Sequence, residues 1–514
     1  MIRLKINNLD VEAPQGTSVM HAARDAGIPI PALCMDDELE HFTSCMLCLV
    51  KDGGGKIFPS CSVKVSQGMQ IITDDGEIRE ARQMALELLL SEHLGDCEAP
   101  CQTGCPAHMN IPLMNRLIAS GNSENALKVV KRDIALPAVL GRICPAPCEG
   151  ACHRKTVDDP ISICLLKRFV GDEHDLHPFP VPDLSGQKVA IIGAGPAGLA
   201  AAYYLRLKGI EPHLFDRENL PGGQLRTAIP KEILPEIVLD REIHSILQTG
   251  VSFNGNFTVD DTAFEDIKKN FDAIVVATGN IDDFTKSFGL KGNPKGLEVT
   301  RSTYETDEKG VFAVGNVLRS SKLAIRSLGQ GKEVAFSVWQ YLNGKTITGE
   351  PRLFNSRFGR LHQTEFAEYL KESMPHRRIF PELHPDGFSP EEAVAEAQRC
   401  MRCDCRAADD CKLRDFSDMY KADQKRFMTS PRKVITKSFQ TKGIVFEPQK
   451  CIKCGICVRL TEKYREKFGL TYIGRGFDIE IGIPFNESLD AALTDTAFLV
   501  AERCPTGALS KRKD

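Results

Sequence analysis

The stretch KVAIIGAGPAGLAAAYYLRLKGIEPHLFD, residues 188–216, decides how this chain is read. It gives a buried strand over 189–192, a glycine turn, a helix, and a second strand ending at Asp216. Gly193, Gly195 and Gly198 form G-x-G-x-x-G. The first allows a tight turn, the second lets backbone approach a pyrophosphate, and the third lets helix and strand pack closely. The pyrophosphate is expected at the helix start, Pro196 and Ala197, where free N–H groups and the helix dipole favour an anion. Asp216 follows about 20 residues on, where an acidic side chain meets a ribose hydroxyl. An ordinary glycine turn is the bland alternative, but it does not explain why strand, helix and acidic end arrive together.

The flanks of this stretch are rich in cysteine. The 514 residues suggest three or four domains at about 150 residues each. A hydrophobic content of 42% supports real cores, and a net charge of -4 argues against nucleic acid as the main partner. The opening MIRLKINNLDVEA alternates like a strand and offers no apolar signal segment. No run reaches the roughly 18 apolar residues of a membrane span, so a cytoplasmic protein is expected. There are 19 cysteines, and none falls between Cys164 and Cys400, where the nucleotide fold lies. Such clustering suits metal ligands better than disulfides.

Residues 1–78 read as a β-grasp domain with a [2Fe–2S] centre. Cys34, Cys45, Cys48 and Cys61 supply the four thiolates such a cluster takes. Gly53, Gly54 and Gly55 mark a hairpin between 47–50 and 56–59. The pattern resembles the N-terminal domain of the large iron–sulfur subunit of respiratory complex I and of iron-only hydrogenases. Zinc would fit Cys45 and Cys48 alone, but not the whole spacing.

Residues 79–177 read as a helical domain with two [4Fe–4S] clusters. A helix over 79–94, with Met84, Leu86, Leu89 and Leu90 as its apolar side, leads into His93, Cys97, Cys101 and Cys105. CPAPCEGAC then supplies Cys144, Cys148 and Cys152, and Cys164 follows. Together with CQTGCP this resembles the N-terminal domain of the glutamate synthase small subunit, dihydropyrimidine dehydrogenase and ferredoxin–NADP transhydrogenases. That resemblance implies two clusters, to each of which both cysteine runs contribute. The first run lacks one expected cysteine, and His93 before Cys97 is similar to the complex I subunit. The expected sets are His93, Cys97, Cys101 and Cys152 for one cluster, and Cys105, Cys144, Cys148 and Cys164 for the other.

PFPVPDLSG, 178–186, is a proline-rich linker into the nucleotide fold, which spans 186–345. Beyond Asp216 come PGGQL, with Gly223 and Gln224, and a helical stretch near 232–250. The strand FDAIVVATG follows, with Thr278 and Gly279, then GVFAVG, with Gly315 before Asn316, and a helix over 322–342. This series resembles the flavoprotein disulfide reductase superfamily, and by that resemblance the nucleotide is FAD. Asn316 stands where the family usually has Asp, which bears on the ribityl contact or on the flavin's potential.

That family inserts a second nucleotide domain, for NAD(P)H, between the ATG strand and the next. Here 30 residues separate Gly279 from Gly310. One βαβ unit takes about 30 residues or more and a dinucleotide domain needs two. The stretch has room for a loop and a strand, so the nicotinamide domain is expected to be missing.

Residues 346–440 are read as a linker and a helix capped by Ser389, with Pro390 and Glu392, which delivers Cys400, Cys403, Cys405 and Cys411. These are expected to hold a [4Fe–4S] cluster, with structural zinc as the alternative. Residues 441–514 read as a ferredoxin-like domain, in which Cys451, Cys454, Cys457 and the distant Cys504 hold one [4Fe–4S] cluster. Its GRGFDIEIGIPF and CPTGAL segments resemble complex I-type ferredoxin segments.

The fold class is therefore multidomain, α/β and α+β. The expected function is an electron-transfer subunit of a larger oxidoreductase, carrying FAD, one [2Fe–2S] and four [4Fe–4S] clusters. Its expected neighbours are an NADH-oxidising flavoprotein, formate dehydrogenase or hydrogenase, with ferredoxin as a further partner and no nucleic acid or membrane span. The sequence assigns no catalytic residue. Two other readings are a self-sufficient NAD(P)H oxidoreductase like the glutamate synthase small subunit, and a non-catalytic metal-binding scaffold.

Overall fold

The computed structural model describes residues 1–40, 42–174, 179–279, 288–381, 387–428 and 432–512. Residue 178 of the proline-rich linker, residues 280–287 of the short gap and residues 513–514 of the last domain lie outside the described residues. The chain divides into two compact units, each assembled from separate segments. One takes Met1–Glu98, Leu353–Lys371 and the chain from Cys403 onward; the other takes Ala99–Arg352 and Glu372–Arg402.

The first unit opens with a mixed five-stranded sheet. Ile2–Ile6 pairs antiparallel with Leu9–Ala13 and parallel with Gln70–Ile72. Leu49–Asp52 pairs antiparallel with both Gln70–Ile72 and Ile57–Pro59. Asp52 makes that hairpin turn, because its carboxylate accepts from the N–H groups of Gly54 and Lys56 at 2.9 Å. Leu4, Ile6, Val11 and Ala13 alternate onto one face and pack against Val19, Ala22 and Ala23 of the helix Val19–Asp25.

A second core joins the later segments of this unit. Leu33, Leu47, Leu86 and Leu90 pack with Ile444, Phe446, Leu460 and Val500. The helix Gly76–Glu92 contributes Leu86 and Leu90, as its periodicity implies, but Met84 is 44% exposed. Arg82, one turn before Leu86, takes the inner face. It is buried, and its guanidinium donates to the carbonyls of Leu49 at 2.8 Å and Thr73 at 2.9 Å. Ile444–Phe446 pairs antiparallel with Ser438–Phe439 and Leu509–Lys511 to close the C-terminal part.

The second unit is built on a parallel sheet in the order 311–313, 273–276, 188–192, 211–215, 252–254. Lys188–Ile192 is central, with its sequence successor Glu211–Phe215 on one side and Ala273–Val276 on the other. That reversal of strand order puts the glycine turn at a topological switch point, where open α/β sheets bind ligands. The helices Pro196–Arg206 and Ala324–Leu342 pack closely here because Gly331 has no side chain: a Cβ there would lie 2.4 Å from the Ala197 carbonyl oxygen. Between Ala273–Val276 and Val311–Ala313, the described residues contain one small hairpin, Gly292–Asn293 with Gly296–Leu297, and no second nucleotide fold. The Ser389 capping box is formed at the start of helix Pro390–Gln398.

Candidate cluster and nucleotide sites

The glycine turn is shaped by what its neighbours exclude. Gly193 has φ +109, and a Cβ there would lie 2.4 Å from the Ala277 oxygen. At Gly198 it would lie 1.9 Å from the Gly193 oxygen. Gly195 has no protein atom within 4 Å of a Cβ position, so its surface is open at the start of helix Pro196–Arg206. Two glycines close the turn and the third leaves a space, the geometry that an anion at a helix start requires.

The other nucleotide candidates gather around it. Asp216 accepts from the N–H of Ala194 at 2.6 Å and of Glu218 at 2.9 Å, so it braces the turn. The PGGQL loop docks through Gly222, whose N–H donates to the Ala194 carbonyl at 2.9 Å, and through Gly223, whose absent side chain would meet Gly195. Gln224 is exposed at the head of the short helix Gln224–Thr227. Thr278 has a buried hydroxyl without a partner, and Gly279 beside it has φ +88. Gly315 donates to the Gln330 side chain at 2.9 Å, while the Asn316 amide is bonded to Ser321 in both directions. A cleft of about 1440 Å³ opens at Gly315 and Asn316 and reaches Pro106, the residue after Cys105.

In the first unit, Cys34, Cys45, Cys48 and Cys61 are all buried. Cys48 and Cys61 lie 2.9 Å apart, sulfur to sulfur. Cys34 is drawn down to about 5 by hydrogen bonding from Cys45, and Cys45 is raised by that same contact. Deprotonated, thiols this close together are metal ligands.

Cys451, Cys454, Cys457 and Cys504 line one small pocket walled by Phe446, Ile452, Ile456 and Leu509. Burial and then neighbouring charge push Cys451 up to about 12. The same apolar core contains Cys34, Cys45, Cys411 and Cys454, so it adjoins three thiol groups of this unit. Arg459 donates to the Cys34 carbonyl at 3.1 Å.

The remaining thiols are grouped differently from the sequence expectation. Cys97 stands with Cys405 and Cys411: the Cys405 N–H donates to the Cys97 carbonyl at 3.2 Å, and the charges of Cys405 and Cys97 both raise Cys411, after burial, to about 12. Ser356 lies 3.3 Å from the Cys97 sulfur. His93 is buried in the same unit, its Nδ1 3.0 Å from the Lys450 carbonyl, which fixes the ring and leaves Nε2 for a ligand. Burial, then the Lys450 charge, hold this imidazole down at about 4. Glu447 accepts from Lys450 at 2.8 Å and Arg406 at 3.1 Å, making a buried charge network against Cys405.

In the second unit, Cys105, Cys144, Cys148 and Cys164 come together. Cys164 is hydrogen-bonded to both Cys144 and Cys148, and the charge of Cys144 acts on Cys105. Cys152 lies near Cys400, whose charge adds to burial in raising it. The helix Pro100–Gly104, which carries Cys101, packs on Pro147–Ala151, which Cys152 caps. Within the 400–411 run, Cys400 stands with Cys152, whereas Cys405 and Cys411 stand with Cys97. Among the described residues no three ligand side chains form a ready cage for a single ion. Sequence reasoning missed Lys167, Ser356, Glu447 and Lys450, which have no local motif to signal them.

Comparison with known proteins finds matches to three parts of the chain. Residues 1–76 match a family of 2Fe-2S iron-sulfur cluster binding domains. Residues 91–177 match domain II of dihydropyrimidine dehydrogenase, with its 4Fe-4S cluster, and residues 191–256 match an NAD(P)-binding Rossmann-like domain. The NADPH-Fe(3+) oxidoreductase subunit beta of Geobacter sulfurreducens is 38% identical over 244 residues, covering 46% of this chain and 34% of that protein. The NADP(+)-dependent formate dehydrogenase subunit beta of Moorella thermoacetica is 38% identical over 207 residues, 35% of this chain and 29% of that protein. The glutamate synthase [NADPH] small chain of Mycobacterium tuberculosis is 37% identical over 190 residues, 36% of this chain and 39% of that protein. The chain thus spans well under half the length of each of these relatives. No described helix is long and apolar enough to cross a membrane. Over part of its length the chain is similar to the glutamate synthase small chain and to the NADPH-Fe(3+) oxidoreductase beta subunit, and it matches [2Fe–2S], [4Fe–4S] and Rossmann-like family models in three separate segments.

Proposed function

We propose that this chain is the electron-transfer subunit of a multi-subunit cytoplasmic oxidoreductase, holding FAD and five iron–sulfur clusters. The observations that carry this reading are the thiol groups, most of them buried, found in both units, and a nucleotide fold beside which the described residues hold one small hairpin and no second such fold. FAD would be held by the open turn at Gly195 together with Asp216, Thr278 and Asn316, and would supply the redox chemistry of this unit. Cys34, Cys45, Cys48 and Cys61 hold the [2Fe–2S] cluster. His93 with Cys97, Cys405 and Cys411 holds one [4Fe–4S] cluster, and Cys451, Cys454, Cys457 and Cys504 hold another. Cys105, Cys144, Cys148 and Cys164 hold a third, and Cys101, Cys152 and Cys400 supply three ligands of a fourth.

The flavin supplies both one- and two-electron chemistry when bound. The chain's own contribution is to exclude water from the thiols, fix their spacing and place charged side chains beside them. One relative is named as a formate dehydrogenase subunit, and a formate dehydrogenase, an NADH-oxidising flavoprotein or a hydrogenase is the proposed neighbour, with ferredoxin as a further partner. Metal and flavin analysis of the anaerobically purified chain tests the assignment, which requires about 18 irons and one FAD. Stoichiometric zinc, or no flavin, would favour a scaffold instead.

A further inference from the structure

Lys167 lies on the helix Ile163–Glu173, one turn after Cys164, and is 3% exposed. Its ammonium donates to the Cys164 sulfur at 3.8 Å. Among the described residues no carboxylate pairs with it. Glu149, the acid beside Cys164, is already engaged: one oxygen accepts from the Cys164 N–H at 3.0 Å and the other from Arg378 at 2.9 Å. Lys450, the buried lysine near Cys405, has by contrast Glu447 at 2.8 Å.

A buried ammonium without a counter-charge costs several kcal/mol, and lysines so placed ordinarily lose their proton. Here the buried ammonium is held against the Cys164 sulfur, which is itself hydrogen-bonded to Cys144 and Cys148. The anion that compensates Lys167 is therefore the thiolate site itself.

We propose that Lys167 is a fixed cation that raises the reduction potential of the centre held by Cys105, Cys144, Cys148 and Cys164. This rests on reading those four thiols as cluster ligands. A four-iron cluster on four thiolates is anionic and gains one further negative charge on reduction, so a permanent positive charge within contact stabilises the reduced form more than the oxidised one. Pro106, the residue after Cys105, lines the cleft at Gly315 and Asn316, which places this centre beside the nucleotide end of the unit. Lys167 is a positioning and tuning residue and takes no part in bond making.

The test is an anaerobic redox titration of the full chain, followed by electron paramagnetic resonance, for wild type, Lys167→Met and Lys167→Arg. The signal of this centre is identified by its loss in Cys105→Ser. Lys167→Met should shift that midpoint to lower potential and leave the other signals in place, and Lys167→Arg should stay near wild type. If Lys167→Met loses four irons while Lys167→Arg keeps them, the cation is needed to hold the anionic cluster, which also supports the proposal. An unshifted midpoint in a fully loaded Lys167→Met, or equal shifts or losses in both variants, overturns it. Failure of the ligand reading itself shows separately, as a wild-type chain whose iron content and signals do not change in Cys105→Ser.

Discussion

The backbone N–H of Cys405 donates to the carbonyl of Cys97 at 3.2 Å, although nearly all of the nucleotide-binding unit lies between them in sequence. The chain leaves the first unit after Glu98 and returns to it, so that one thiol group is completed by residues from both sides of an insertion. Ligand sets assembled this way cannot load until both ends of the insertion have closed.

The first prediction follows from that grouping. Cys97→Ser and Cys405→Ser should abolish the same paramagnetic signal, while Cys101→Ser and Cys152→Ser should spare it and abolish another. The signals and iron content of the four variants check this. Loss of a common signal in Cys97→Ser and Cys101→Ser would return Cys97 to the helical cluster segment.

The glycine turn separates folding from binding. A Cβ at Gly198 would stand 1.9 Å from the Gly193 oxygen, so Gly198→Ala should destabilise the second unit by about 1–3 kcal/mol or more. Gly195→Ala meets no protein atom, so its melting temperature should match wild type in the flavin-free state while flavin content falls. Equal flavin content in Gly195→Ala and wild type would argue that the pyrophosphate lies elsewhere.

Glu447 is buried among Lys450, Arg406 and Lys437. Burial alone would raise its pKa, but these three cations overcome that and hold it at about 2. Glu447→Gln leaves buried positive charge uncompensated and should cost about 3–5 kcal/mol in denaturant unfolding of the first unit. Because the folded pKa is depressed, the wild-type contribution is present above the ordinary carboxylate range and is lost as pH falls toward 2. A variant as stable as wild type at neutral pH would contradict this account.

Glu242 gives the opposite sign. It is buried and accepts from the N–H groups of Ala138 and Val139 at 2.8 Å, at the start of helix Pro137–Ile143. Desolvation raises it to about 7, against the lowering effects of Lys131, those two N–H groups and Arg241. The folded state therefore holds a proton that the unfolded state releases near pH 4. Stability of the second unit should fall as pH rises from about 4.5 through 7, by roughly 3 kcal/mol in all. Melting curves over that range test it: Glu242→Gln should lack this fall, and an identical pH profile in the variant would refute it.

The sequence carried what is local and lost what is tertiary. The glycine motif, the strands beside it, the Asp52 hairpin and the Ser389 cap are short-range, each fixed by residues within a few positions. The thiols themselves were legible by clustering. Their grouping was not, because proximity in sequence put Cys97 with Cys101 and Cys405 with Cys400, whereas the chain divides between Glu98 and Ala99 and again between Arg402 and Cys403. Met84 fits an apolar helical stripe, yet Arg82 claims the inner face because two backbone carbonyls and Tyr420 await its guanidinium. Lys167 has no motif at all; only the fold shows that its ammonium ends among four thiols.

In the proposed relay the nucleotide fold passes electrons on and does not itself accept hydride from a nicotinamide. The short hairpin at Gly292–Leu297 stands where a second nucleotide fold would be needed. The direct measurement is an anaerobic titration of the purified, fully loaded chain with NADH and with NADPH, followed by flavin absorbance. The flavin should stay oxidised with either nucleotide and bleach on addition of dithionite. Rapid bleaching by NADH or NADPH in the absence of any partner would contradict the relay and restore a self-sufficient oxidoreductase.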